Sequence, residues 1–313
     1  GVQMTTQELR GELTKMASEI PLSFGELSNI AMIGGQMDIP RESLAKFTDT
    51  VAKFVATADG ATIDSSTAAF GRMSNLFASG MNADDQAAYF QRLGAAISYT
   101  ADNSVTSEAK IISMLDKMAP LASQAGLTTQ NVVALSSALS SVGIAPELAS
   151  GFMTRTFGGM NKVIAAGGDK LNAYSAALGM TADDVKRLRQ EDPMALLNAM
   201  ATKLANMDVI SQTTFLQKLG INATRDQRVI QSLAGGLDVL KKAQDDVNTA
   251  FGEGTYLDQS SAAIFDTFAA NIKKMAGAFA SLGDELGAGV LTYLGTMVKW
   301  VTDMASSFTA LLK

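Results

Sequence analysis

One short string of residues recurs four times along this chain, and it constrains the fold more than any other feature. It reads Gly80-Met81-Asn82-Ala83-Asp84-Asp85, Gly126-Leu127-Thr128-Thr129-Gln130-Asn131, Gly179-Met180-Thr181-Ala182-Asp183-Asp184 and Gly220-Ile221-Asn222-Ala223-Thr224-Arg225. Each position has a physical role at a helix-to-helix junction. Glycine takes the left-handed conformation that ends a helix, the apolar residue packs back and staples the next helix, and Asn or Thr accepts hydrogen bonds from the new helix's free amides. Asp85 and Asp184 then sit where the helix dipole favours an acid. Gly143-Ile144-Ala145-Pro146-Glu147 is a variant that places Pro at the first helical position instead of a polar cap. Turns this tight make antiparallel helical hairpins. The predicted helix-turn positions are therefore Gly80, Gly126, Gly143, Gly179 and Gly220.

Between the turns the apolar residues keep helical spacing. Leu9, Leu13, Met16 and Ile20 follow a Thr5-Thr6-Gln7-Glu8 capping box, and Ser23-Phe24-Gly25-Glu26 offers the same box before Leu27 and Ile30. Pro40 and Glu42 open a third helix that carries Leu44, Phe47, Val51 and Phe54 on one face. Runs of β-branched and aromatic residues with a period of two are missing. The chain reads as all-α, an irregular multi-helix domain of antiparallel hairpins followed by long amphipathic, coiled-coil-like helices. The four main turns are 41 to 53 residues apart. That unevenness, with the dissimilar helices between them, favours an irregular domain over a repeat array.

After Gly252-Glu253-Gly254 the pattern changes to one long apolar seam. It runs through Ile264, Phe268, Ile272, Met275, Phe279, Leu282, Leu286, Val290, Leu294, Met297, Val301, Met304, Phe308 and Leu311 in steps of three and four. From Val290 onward the steps alternate strictly, as a coiled-coil or bundle helix requires. Gly283, Gly287 and Gly289 mark an expected kink. Two domains follow from this change, a compact helical one over 1–255 and the seam-bearing helices over 256–313.

Composition then narrows the chemistry. Among 313 residues there is no histidine and no cysteine, which removes the Ser-His-Asp triad, the thiol nucleophile and the Cys/His zinc site. No P-loop, nucleophile elbow, dinucleotide fingerprint or calcium loop is present. Gly167-Gly168-Asp169-Lys170 reads as a helix stop and restart, and Asp84/Asp85, Asp183/Asp184 and Glu191/Asp192 read as N-terminal helix charges. The chain is accordingly expected to be no enzyme, with no cofactor, catalytic residue or metal site. Twenty-five Lys and Arg against 31 Asp and Glu give a net charge of -6, with no basic run to follow a phosphate backbone, so specific nucleic-acid binding is not expected. The most apolar late stretch, from Leu286 to Val298, is shorter than the ~20 residues a membrane span needs. Gly1-Val2-Gln3-Met4 shows no initiator Met and no signal peptide, which suggests a piece of a longer parent chain. Trp300 reads as a half-buried aromatic beside the seam, and the methionines as adaptable core packing.

The residues also carry a family resemblance. Glu26 to Asp59, ELSNIAMIGGQMDIPRESLAKFTDTVAKFVATAD, resembles the opening of the conserved domain of phage tail tape measure proteins. Thr106-Ser107-Glu108-Ala109-Lys110-Ile111, the Gly126 to Leu148 hairpin, Asp192-Pro193-Met194-Ala195-Leu196-Leu197, Leu219-Gly220-Ile221 with Leu233-Ala234, and Ala270 to Gly287 continue the series in order. The likeness covers roughly residues 20 to 300, and no single motif carries it alone. It implies a structural virion protein, made in the host cytoplasm, that lies in the tail tube lumen, governs tail length and is released during genome ejection. It further implies self-association as a small homo-oligomer, a trimer or hexamer, with tail tube, distal tail or baseplate proteins and tail assembly chaperones as partners. A helix rises ~1.5 Å per residue. A hairpin domain therefore spans little, and the ruler proper is expected elsewhere in the parent chain. The alternative reading is a membrane-active helical protein that lays the Phe279 to Leu312 face on the host envelope.

Overall fold

Polar caps and glycine turns divide the chain into helices. The computed structural model describes residues 5–268 and 271, and among them there are fifteen helices and no strand, an all-α fold. α1 (Thr6–Glu19) and α2 (Phe24–Gln36) begin in the two expected capping boxes, with Thr5 N donating to Glu8 at 2.6 Å and Ser23 N to Glu26 at 2.7 Å. α3 (Arg41–Thr57) follows Pro40, α4 (Ile63–Phe77) is capped by Thr62, and α5 (Ala83–Asp102) by Asn82. α6 (Glu108–Gln124) leads into α7 (Thr129–Ser141), which starts in a Thr128/Asn131 box, and α8 (Pro146–Ala166) opens on its proline. Gly167 stops α8 and α9 (Gly168–Leu178) restarts at once. α10 (Ala182–Glu191) starts in a Thr181/Asp184 box, and Asp192 and Asp208 cap α11 (Pro193–Ala205) and α12 (Val209–Lys218). α13 (Thr224–Gly235), α14 (Leu237–Glu253) and α15 (residues 256–268) complete the described chain.

The recurring turn proves to be two turns. At Gly126, Gly143, Gly179 and Gly220 the glycine has φ between 72° and 78°, and the apolar residue after it donates to the carbonyl five residues back. Those bonds, Leu127 to Ala122, Ile144 to Leu139, Met180 to Ser175 and Ile221 to Leu216, are all 2.9 Å. This is the double-bonded helix ending in which the apolar side chain folds back on the helix just closed. Gly80 departs from it. α4 stops at Phe77, three residues before its glycine where the other helices stop one or two before theirs, Met81 N reaches only the Ala78 carbonyl at 3.2 Å, and the Met81 side chain is 41% exposed. Gly60 shows the same placement, with buried Ala58 two residues before it as Ala78 is before Gly80. The fourth string holds a second departure. Asn222 does not cap α13, because the helix starts one residue later; Ala223 occupies the cap without a side-chain bond, and Asn222 Nδ2 turns back to the Gly220 carbonyl at 3.5 Å.

α7 lies at the centre. It carries no charge, every residue from Val132 to Leu139 is buried, and α5, α6, α13 and α14 pack around it. A helix without charges whose apolar residues face every direction is suited to being enclosed, although Ser136 and Ser137 are buried with them. α14 closes the core by lying along both α5 and α7. Phenylalanines lock the first helices together: Phe47 meets Phe90 edge-on at 5.2 Å, and Phe54 meets Phe70 at 5.1 Å. α8 connects this group to a second layer, α9–α13, through α6 and α13. There Arg155 of α8 forms a two-pronged ion pair with Asp226 of α13, a carboxylate whose side chain is only 4% exposed. One continuous apolar cluster runs from Leu13 to Leu257.

Candidate interaction surface

Gly254, in the left-handed conformation, ends α14 and turns the chain into α15. The first turns of α15 are fixed to the body by contacts of several kinds. Tyr256 donates its hydroxyl to Asp102 at 2.7 Å and meets the Tyr99 ring edge-on at 4.9 Å. Leu257 fills a notch over α5 that exists because residue 94 is glycine; a Cβ there would lie 2.7 Å from Leu257 Cδ2. Asp258 pairs with Lys53 at 2.8 Å, Ser261 is buried, and Phe265 packs against the edge of the core. Burial opposes the charge of Lys53, but Asp258 and Asp49 outweigh it and raise its pKa. Burial, with Asp102 beside it, pushes the Tyr256 phenol up to about 12. Burial likewise raises the pKa of Glu108 on α6, with Asp102 and Asp59 nearby.

Residues 257, 261, 264 and 268 fall on one helical face at steps of four, three and four. The predicted seam therefore continues a stripe that begins at Leu257, inside the body. Cover thins along the stripe: Leu257 is buried, Ile264 is 43% exposed, and Phe268 is half-buried. The seam positions Ile272, Met275, Phe279, Leu282, Leu286, Val290, Leu294, Met297, Val301, Met304, Phe308 and Leu311 lie outside the described residues, as do the glycines of the expected kink and Trp300.

A second apolar feature was not expected from the sequence. Met81 stands at the lip of a groove of about 490 Å³ whose floor includes Phe77, Tyr89 and Phe251, with Arg92 and Gln130 among the polar residues around it. Tyr89 is locked there by bonds to the Met73 carbonyl at 3.2 Å and to Thr129 Oγ1 at 3.1 Å, and burial raises its pKa above the ordinary phenol value. The reading of Met81 as a staple hid this groove. The turn at Asp59-Gly60-Ala61-Thr62 held the signal, since it matches the Gly80 turn in form and offers no large side chain to fold back. Other exposed apolar residues are Phe24 and Met32 on α2, Val105 before α6, and Val209 with Ile210 at the start of α12.

The five turn glycines are helix ends distributed through the fold. Asp84, Asp85, Asp183 and Asp184 do occupy first helical turns, and Asp192 caps α11 by accepting from Ala195 N at 3.0 Å. Glu191 does not sit at a helix start. It is the last residue of α10, where the dipole disfavours an acid, and Arg187 lies 3.6 Å away to offset it. Among the described residues no group of three or more acids, His or Cys could hold a metal ion, and no helix is long and apolar enough to cross a membrane.

The fold is thus a capped helical body that offers apolar surface for packing against other polypeptides. The sequence model of the family described as phage-related minor tail protein matches residues 10–220, well over half of the chain, and the chain belongs to that family. It is a structural component of a phage tail, and association with other tail components comes with that membership. No curated protein and no solved structure matches it.

Proposed function

We propose that this chain is part of a tape measure protein, lying in the tail tube lumen, governing tail length during assembly and released as the genome is ejected. Family membership across residues 10–220 is the observation that carries this reading. The start of α15 is consistent with it: the helix begins docked in the body and carries a partly exposed apolar residue, Ile264, at its outer end. Residues 1–255 are then a head domain, and the length-setting segment belongs to the rest of a longer parent chain. The predicted apolar seam is covered by other copies in a small homo-oligomer, while tube, distal tail and chaperone proteins meet the head. The chain has no enzymatic role; without histidine or cysteine it works by being packed and expelled.

An epitope inserted between Gly167 and Gly168, where a Cβ on either glycine would meet nothing within 4 Å, tests the location in assembled phage. It should resist protease in intact virions and be missing from tails that have ejected their DNA. Digestion of the epitope in intact virions, or its retention after ejection, would overturn the reading.

A further inference from the structure

Arg189, near the end of α10, has too few partners for its charge. Its guanidinium carbon lies 5.5 Å from the centroid of the Phe157 ring, and its Nη1 donates to the Ala125 carbonyl at the end of α6 at 2.9 Å. Its Nε is buried without a hydrogen-bond partner, and none of the ion pairs among the described residues involves it. Burial lowers its pKa and no neighbouring acid offsets that shift. A guanidinium has five N–H donors in a planar fork shaped for a carboxylate, and a buried donor left unpaired is costly.

The same arginine lines a depression of about 440 Å³ between the end of α6, α8 and α10. Lys186, Gln124, Asn161, Gln190 and Ile164 also line it, and no acid does. Lys186 has Asp183 at 3.2 Å, but that carboxylate is 92% exposed and holds the ammonium weakly. In a chain of net charge -6, a depression with two cations, three carboxamides and no acid stands apart.

We propose that this depression binds a carboxylate side chain presented by an acidic polypeptide segment. Arg189 and Lys186 supply the positive charge that holds the carboxylate, and the carboxamides of Gln124, Asn161 and Gln190 bond the backbone on either side of it. The occupant is a polypeptide and not a nucleic acid, because backbone phosphates are followed by rows of cations. This site has two, beside the apolar wall of Ile164. The proposal does not depend on where in the tail the chain sits.

Fluorescence anisotropy of the full chain with a labelled oligoglutamate peptide, and separately with a labelled short DNA duplex, tests it at low salt. The peptide should bind and the duplex should not. Arg189→Gln should weaken peptide binding by about ten-fold or more, the loss of one charge-assisted contact. Arg187→Gln, whose side chain pairs with Asp184 and Glu191, should leave it unchanged. Because Arg189 also closes the end of α6, Asn161→Asp provides a variant that keeps the packing: its own carboxylate should abolish peptide binding and raise the melting temperature. No peptide binding by the parent chain, binding that survives both Arg189→Gln and Asn161→Asp, or duplex binding with the same dependence on Arg189 would each overturn the proposal.

Discussion

The helices α1–α7 and α14 differ in build from α9–α13, and α8 joins the two groups. The first group runs 13 to 20 residues per helix, and Phe47, Phe54, Phe70 and Phe90 are fully enclosed in it. The second runs 10 to 13 residues per helix, and its fully enclosed side chains are aliphatic or Met, including Leu196, Leu197, Met200, Leu204, Leu216, Val229 and Ile230. Helices this short are marginal in isolation and depend on neighbours for stability. The α9–α13 layer is therefore expected to open before the longer, aromatic-locked group.

The largest test of that contrast is Phe90→Ala. Removing a fully buried ring that meets Phe47 should cost ~3–5 kcal/mol in a denaturant titration and unfold both groups together. Met200→Ala, at an equally buried site in the short-helix layer, should leave α1–α7 protected in hydrogen exchange while α9–α13 lose protection. Equal loss of protection in both groups would dissolve the distinction.

A middle-sized effect concerns the joint itself. Arg155→Met leaves Asp226 buried without its partner, and since the arginine is partly solvated the expected loss is about 2 kcal/mol. Exchange should quicken in α13 before α5. Next comes Thr181→Ala, which removes the cap of α10 and should cost about 1 kcal/mol, read as a lower melting temperature. Thr128→Ala at the start of enclosed α7 is the matched substitution, and a smaller shift in local exchange there would sharpen the contrast.

The smallest effect is a pH dependence within the long-helix group. Burial raises the pKa of Glu108 above its ordinary 4.5, so the folded state holds this proton more tightly than the unfolded chain does. Its contribution to stability is present in acid and is lost as pH rises from 4.5 through the raised folded value. Glu108→Gln should remove that slope from a stability profile measured across the weakly acidic range.

Many of the helix starts are legible in the sequence for a physical reason, although Asn222 and Met81 depart from the pattern. A cap or capping box is a contract among residues three positions apart, so Thr5, Ser23, Asn82, Thr128 and Thr181 could be assigned without knowing the rest of the fold. Signals that depend on distant partners were not visible. Ser261 breaks the apolar pattern of the seam, so the stripe is readable only from Ile264, and its true start at Leu257 depends on the absence of a side chain at Gly94, far away in sequence. The Met81 groove was hidden similarly, because Phe251 reaches it from α14. The family match itself ends at residue 220, in the turn before α13, although α14 beyond it completes the core.

The placement of α14 has a consequence for synthesis. α5 and α7 are made early, yet the helix that covers them spans Leu237–Glu253. While the ribosome works through the intervening stretch, one flank of an uncharged helix lies bare to every other nascent chain nearby. Bare apolar surface on an unfinished chain is an aggregation hazard. This protein therefore has a built-in interval of vulnerability, in which an escort that shields α7 would act, and which closes when the last turn of α14 emerges.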